Sequence, residues 1–220
     1  MTVNGAVATV GVKVDAATDA IEVDGVPLPV KPGLVHYLVY KPPGVISTAA
    51  DPHGRPIVTD LVPDEPRVFP IGRLDEASEG LLILTNDGEL TNRLTHPRFG
   101  VEKTYTVLVA GVPKPVAVRR LCEGVELDDG PARAVRARML DRHGDRALLE
   151  VVMEEGRKRE VRRMCAAIGH PVERLVRTAI GPLRDSQLRP GAWRELALAE
   201  VRSLYETAGG VWEDATPNEE

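Results

Sequence analysis

"GRLDEASEGLLILTNDGEL", residues Gly72–Leu90, decides how the rest of the chain is read. Its middle, Leu81 to Thr85, is an unbroken apolar run closed by a β-branched residue, with Ile83 inside it. So short a run without alternation predicts a strand covered on both faces. Gly72-Arg73-Leu74-Asp75 before it predicts a turn, which Ser78 and Glu79-Gly80 would lock through hydroxyl-to-backbone bonds. Asn86-Asp87-Gly88-Glu89 after it predicts a helix start, with Asn86 as the cap and Glu89 reaching back. That helix should run to about Thr95 and stop at Pro97.

Outward from this unit, strands and helices alternate irregularly. His36–Tyr40 predicts a buried strand, stopped by Lys41-Pro42-Pro43-Gly44. Residues 57–62 predict a turn or two of helix after Pro56, and Val68–Ile71 a strand. Thr104–Val109, Ala134–Leu140, Ala147–Val152 and Val172–Thr178 predict further strands, the middle two joined at His143-Gly144. Pro115–Cys122 predicts a helix ended by Gly124, and Ala199–Tyr205 a short closing one. The clearest helix is Arg159–Ile168. There Val161, Met164, Cys165 and Ile168 fall at i, i+3, i+4 and i+7, with Arg159, Arg162 and Arg163 opposite and Gly169 at the end. Near the N-terminus, Asn4-Gly5 and Asp24-Gly25 predict turns, and Pro27, Pro29, Pro32 and Gly33 a linker. Hairpin-like pairs without regular strand–helix alternation predict an α+β class with a mostly antiparallel sheet. The expected division is an appendage and linker over 1–33, the main domain over 34–206 and an acidic, disordered tail over 207–220.

At 220 residues and 43% hydrophobic the chain can bury a core, but 4% aromatics leaves Val, Leu, Ile and Ala to build it. No apolar run reaches the about 18 residues of a membrane helix. The first residues lack a signal-peptide pattern. Cys122 and Cys165 stand far apart without a CxxC pairing, so neither a disulfide framework nor a zinc site is expected, and a reducing cytoplasm fits. A net charge of −5 taken alone argues against a nucleic-acid partner. Its distribution reverses that. From Glu206 onward there are five acids and no Lys or Arg, whereas Gly156–Pro190 holds nine Lys or Arg against three acids. That local net of +6 is the footprint of a site for a polyanion.

Three blocks could carry chemistry. Asp75 neighbours Arg73, and a carboxylate kept ionised by a cation can act as nucleophile or electrostatic stabiliser at an electron-poor sugar carbon. A turn-capping aspartate paired with Arg73 is the plainer alternative. Tyr105, in Glu102-Lys103-Thr104-Tyr105, could stack on a base and relay a proton, or be a strand-edge tyrosine with its hydroxyl in water. In the third block Gly156 is followed by Arg157, Lys158, Arg159, Arg162 and Arg163 at the start of a predicted helix. Guanidinium forks, helix N–H groups and the helix dipole all favour phosphate there. One of these arginines could instead turn inward to a carboxylate. GxGxxG after a strand, GxxxxGK[ST], HExxH and GxSxG are all absent, and His36, His53, His96, His143 and His170 are scattered and read as structural. No cofactor and no metal is therefore expected.

Taken in order, YKPPG (Tyr40–Gly44), GRLDEASEGLLILTNDGEL, EKTY (Glu102–Tyr105) and EGRKREVRRMCAAIGHPVERLVRTAIGP (Glu155–Pro182) resemble the RsuA/RluB-type ribosomal pseudouridine synthases over about residues 36–200. The resemblance implies a pseudouridine synthase fold: a bent, mixed, mostly antiparallel sheet with flanking helices and a central basic cleft. It implies isomerisation of a specific uridine in ribosomal RNA, without cofactor or metal, by a cytoplasmic monomer. By matching position, Asp75 is the catalytic carboxylate. Tyr105 stacks on the uracil and accepts the C5 proton, Arg162 pairs with Asp75, and Arg73 helps take the base out of its stack. Lys41, Arg157, Lys158, Arg159 and Arg163 are further RNA contacts, and Leu175-Val176 would wall the uracil. FPIGRLD and TNDGELTNRLTHP sit closer to the RluB-type 23S enzymes than to the RsuA-type 16S enzyme. A 16S synthase, a non-catalytic RNA-binding assembly factor and a nucleoside hydrolase are the alternatives. Family members usually begin with an S4 domain, and Thr2–Gly25 resembles only its last part, so residues 1–33 are expected to be a truncated S4-like remnant. Ser78 stands where the family often has Thr.

Overall fold

The computed structural model describes residues 1–9, 11–14, 19–23, 25–27 and 33–209. Four short strands, β1 (Thr2–Val3), β2 (Ala6–Val7), β3 (Ile21–Val23) and β4 (Val26–Pro27), form a sheet of their own in the order β2-β1-β3-β4. The turn joining β1 to β2 has Asn4 at φ 51° and Gly5 at φ 77°, the left-handed pair a two-residue hairpin requires. Most of the expected linker (28–32) and most of the expected tail (210–220) lie outside the described residues.

The remaining elements are β5 (His36–Lys41), β6 (Phe69–Pro70), β7 (Glu79–Thr85), α1 (Gly88–Thr95), β8 (Lys103–Ala110), α2 (Pro115–Glu123), β9 (Val125–Leu127), β10 (Gly130–Ala132), β11 (Arg136–His143), β12 (Arg146–Met153), α3 (Glu160–Ala167), β13 (Val172–Ile180), β14 (Leu183–Arg184), β15 (Trp193–Glu195) and α4 (Leu198–Thr207). One nine-stranded sheet runs β11-β12-β8-β13-β7-β5-β15, with β14 beside β13 and β6 beside β7. Its strands pair antiparallel except β7 with β13, which are parallel. The chain is thus α+β with a mixed, mostly antiparallel sheet, as the sequence predicts.

All seven residues of β7 are buried. Leu81 and Ile83 pack with Leu90 and Leu94 of α1 and Val201 and Leu204 of α4, while Leu82 and Leu84 pack on the other face with Tyr37, Val39, Val58 and Val62. Each such side chain contributes about 1.5–3 kcal/mol by leaving water. The strand starts earlier than predicted, because Glu79 and Gly80 join the ladder rather than the turn. The cap of α1 also differs. Asp87, not Asn86, accepts from the backbone N–H of Glu89 and Leu90, both at 3.1 Å. Asn86 is occupied elsewhere, donating to the Gly33 carbonyl at 2.7 Å and accepting from the Val35 N–H at 2.9 Å.

A second core lies between β8, β12 and β13 and the helices α2 and α3, and it takes in all four residues of the predicted α3 stripe, Val161, Met164, Cys165 and Ile168. The parallel junction β7–β13 is short, with Val176 opposite Glu79 and Arg177 opposite Gly80. A Cβ on Gly80 would collide with the Arg177 backbone, and Gly80 sits at φ +111°, so glycine is required at this crossing. Arg177 in turn pairs with Tyr105 of β8. Gly80, Arg177 and Tyr105 therefore form a row across three strands, and the Gly72–Ser78 turn opens immediately before it. Among the described residues no helix is long and apolar enough to cross a membrane.

Candidate active site

The turn carrying Asp75 is held through its own main-chain atoms by side chains of a segment 27 to 35 residues earlier. The Ser78 N–H donates to the Asp75 carbonyl at 2.9 Å, closing the turn. Ser47 Oγ donates to the Leu74 carbonyl at 2.9 Å and accepts from the Leu74 N–H at 3.1 Å. The Gly44 N–H and Lys41 Nζ both donate to the Glu76 carbonyl, at 2.8 and 3.3 Å. Leu74 is buried in the core beneath, which leaves Asp75 half-buried and Arg73 and Glu76 exposed. Ser47 is absent from the sequence reading, since a serine bonding to a distant main chain leaves no local pattern.

Lys41 corrects an expectation. It is fully buried, with Nζ donating to the carbonyls of Pro42 (2.8 Å) and Glu76, so it supports the turn and does not reach RNA from the surface. Burial pushes its ammonium down to about 8, against the attraction of Glu76, Glu79 and Asp75. Two carbonyls in place of water explain how a lysine is tolerated there.

Asp75 opens into a cavity of about 510 Å³, within the roughly 300–1,000 Å³ of small-ligand sites. One wall is the turn itself, a second is Ile46–Thr48, and a third is the whole of Glu155–Val161. Tyr105, Met153 and Leu175 supply the apolar side. Tyr105 is only 8% exposed and sits on a central strand, which rules out the strand-edge alternative. Leu175 lines the cavity, whereas Val176, next along β13, does not.

Arg162 reaches the same turn. Its guanidinium donates to the Ala77 carbonyl (3.1 Å), Ser78 Oγ (3.2 Å) and the Val172 carbonyl (3.4 Å). Among the described residues no ion pair within 4.0 Å joins Asp75 to Arg162 or to Arg73. The expected direct pairing is replaced by a grip on the two residues that close the Asp75 turn. Burial and Arg159 hold the Arg162 guanidinium below its usual value, while the Asp75 charge pulls it up.

The other cations of the basic block divide. Lys158 and Arg159 are exposed and line the cavity. Arg163 instead makes a fork with Asp129 at 2.6 and 2.9 Å, and Arg157 bonds Glu160 and Asp129. The acid that engages both arginines, Asp129, arrives from the β9–β10 turn, 34 residues from Arg163. Among the histidines, His36 meets Asp87 at 3.2 Å and His170 meets the Ala110 carbonyl at 2.8 Å, both as ties between elements. Among the described residues no group of three or more His, Cys, Asp or Glu is arranged to hold a metal.

A mixed sheet with a carboxylate, a buried tyrosine and a basic wall around one cavity at its parallel junction defines an enzyme acting on a polyanionic substrate. A family profile described as RNA pseudouridylate synthase matches residues 35–167, and the chain belongs to that family. It is a pseudouridine synthase of the RluB-like kind. It is 43% identical over 206 residues to the ribosomal large subunit pseudouridine synthase B of Bacillus subtilis, covering 92% of this chain and 84% of that protein. It is 45% identical over 211 residues to an uncharacterised RNA pseudouridine synthase of Aquifex aeolicus, covering 94% and 84%. Among solved structures, a pseudouridylate synthase aligns with a TM-score of 0.70 at 28% identity, over 92% of this chain and 87% of that one.

Proposed function

We propose that this synthase isomerises a uridine of the large-subunit, 23S ribosomal RNA, with Asp75 as the catalytic carboxylate. The RNA assignment rests on its relatives from Bacillus subtilis and Pasteurella multocida, both named for the large ribosomal subunit. The catalytic assignment rests on one observation: Asp75 and Tyr105 share a cavity whose facing wall is basic.

A uridine stacked in RNA is out of reach, so it must be extruded into the cavity. Arg73, exposed at the mouth, takes the place the base vacates, and Lys158 and Arg159 meet the flanking phosphates. Asp75 acts on the nucleotide as its C1′–N1 bond opens. The freed uracil, enclosed by Tyr105, Met153 and Leu175, turns to present C5 and rebonds to C1′. The C5 proton leaves toward the Tyr105 hydroxyl, and N1 gains one, so atoms and electrons balance within the isomerisation. Arg162 acts through the turn it holds. Arg157 and Arg163, engaged by Asp129 and Glu160, orient the wall rather than grip phosphate. The small sheet ahead of residue 28 is S4-like, and the enzyme works as a monomer in the cytoplasm.

Asp75→Asn should lower pseudouridine formation on isolated 23S RNA by at least ~10³-fold, with RNA affinity within about twofold of wild type. Turnover by the variant would refute Asp75 as the catalytic carboxylate. The same assay on 16S RNA should give no product.

A further inference from the structure

The five cations of Arg157–Arg163 do not act as one basic face. Arg157 spends its donors on its own chain. Its N–H and Nε both meet the Glu160 carboxylate at 2.9 Å, and its two terminal nitrogens reach Asp129, the Gly130 carbonyl (3.3 Å) and the Pro131 carbonyl (2.7 Å). Arg163, one helical turn into α3, forks onto the same Asp129 carboxylate. Asp129 thus holds the segment before and after Lys158-Arg159, and buried Glu160 closes a bracket across them. Within that bracket Arg159 sits at φ 52°, ψ 30°, a left-handed conformation that an arginine keeps only where its surroundings impose it. Lys158 and Arg159 are the two members left exposed at the cavity.

We propose that Asp129 is a positioning residue that locks the basic wall, so that Lys158 and Arg159 meet RNA already in place. The proposal rests on the assignment of this cavity to RNA. It gives an outcome opposite to simple electrostatics. Deleting an acid beside a polyanion site and releasing two arginines should tighten binding if charge alone mattered. Loss of the clamp should weaken it, because the strained segment must then be ordered on binding.

The test is a double-mutant cycle on the full chain, with KM, kcat and RNA affinity measured for Asp129→Ala, for Lys158→Ala with Arg159→Ala, and for all three together. Asp129→Ala should raise KM and Kd about tenfold, with kcat changed far less. That penalty should vanish in the Lys158→Ala, Arg159→Ala background, and Asp129→Glu should recover part of it. Unchanged or tighter RNA binding by Asp129→Ala would overturn the proposal, as would an equal penalty in the double-variant background. Asp129 is exposed in a hairpin turn, and Asp129→Asn provides a second, nearly isosteric removal of the charge. Either failure leaves the Asp75→Asn result free to stand, so the two claims fail separately.

Discussion

Asp75 has no side-chain partner of its own within ion-pairing distance among the described residues, and its position comes from what grips the residues beside it. Ser47 fixes Leu74, Lys41 and Gly44 fix Glu76, and Arg162 fixes Ala77 and Ser78. Arg162→Ala should therefore cut kcat by roughly 10²-fold, the cost of about 1 Å of misplacement, with a much smaller change in KM. Steady-state kinetics on the RNA substrate would check this, and a change confined to KM would assign Arg162 to binding instead. At this scale the sequence shows residues whose neighbours form a motif, such as Asp75, Tyr105 and the basic block. It does not show Ser47 or Asp129, whose partners lie 27 to 34 residues away and include main-chain atoms. It also misjudges Lys41, because nothing local distinguishes an ammonium that finds two carbonyls from one that finds solvent.

The element on which the site depends is β7 and its parallel contact with β13. Gly80→Ala places a methyl against the Arg177 backbone in a conformation unsuited to alanine. It should cost roughly 3 kcal/mol or more of stability, measured by denaturant unfolding. A loss under about 1 kcal/mol would mean the two strands can move apart freely. The unbroken apolar run of β7 and the helical stripe of α3 are legible because burial writes its own period into sequence. Strands of two or three residues, such as β9, β10, β14 and β15, are too short to show any period. The sequence names Asn86 as the cap of α1, and contacts across the fold hold Asn86 elsewhere and give that place to Asp87.

Those contacts join the whole molecule at Asp87. Besides capping α1, its Oδ2 meets His36 of β5 and accepts from the Tyr205 hydroxyl of α4 at 2.6 Å. Burial would raise this carboxyl, but the hydrogen bonds from His36 and Tyr205 outweigh it and hold the group down to about 2, against an ordinary 3.8. A folded value below the unfolded one gives stability that is complete above about pH 4 and is lost as pH falls toward 2. Urea unfolding between about pH 2 and 5 should show Asp87→Asn with a flatter pH dependence than wild type, and parallel curves would count against the tie. The net charge of −5 likewise hides a local division, since the cationic wall faces the cavity. Lys158→Ala with Arg159→Ala should reduce the slope of log affinity against log salt by about 1 to 2. The most direct measurement is pseudouridine mapping of both ribosomal RNAs from cells lacking this chain, then resupplied with wild type or Asp75→Asn. One large-subunit position should lose its pseudouridine, regain it with wild type and stay unmodified with Asp75→Asn. Unchanged maps, or restoration by Asp75→Asn, would contradict the assignment of this chain and its aspartate to the reaction.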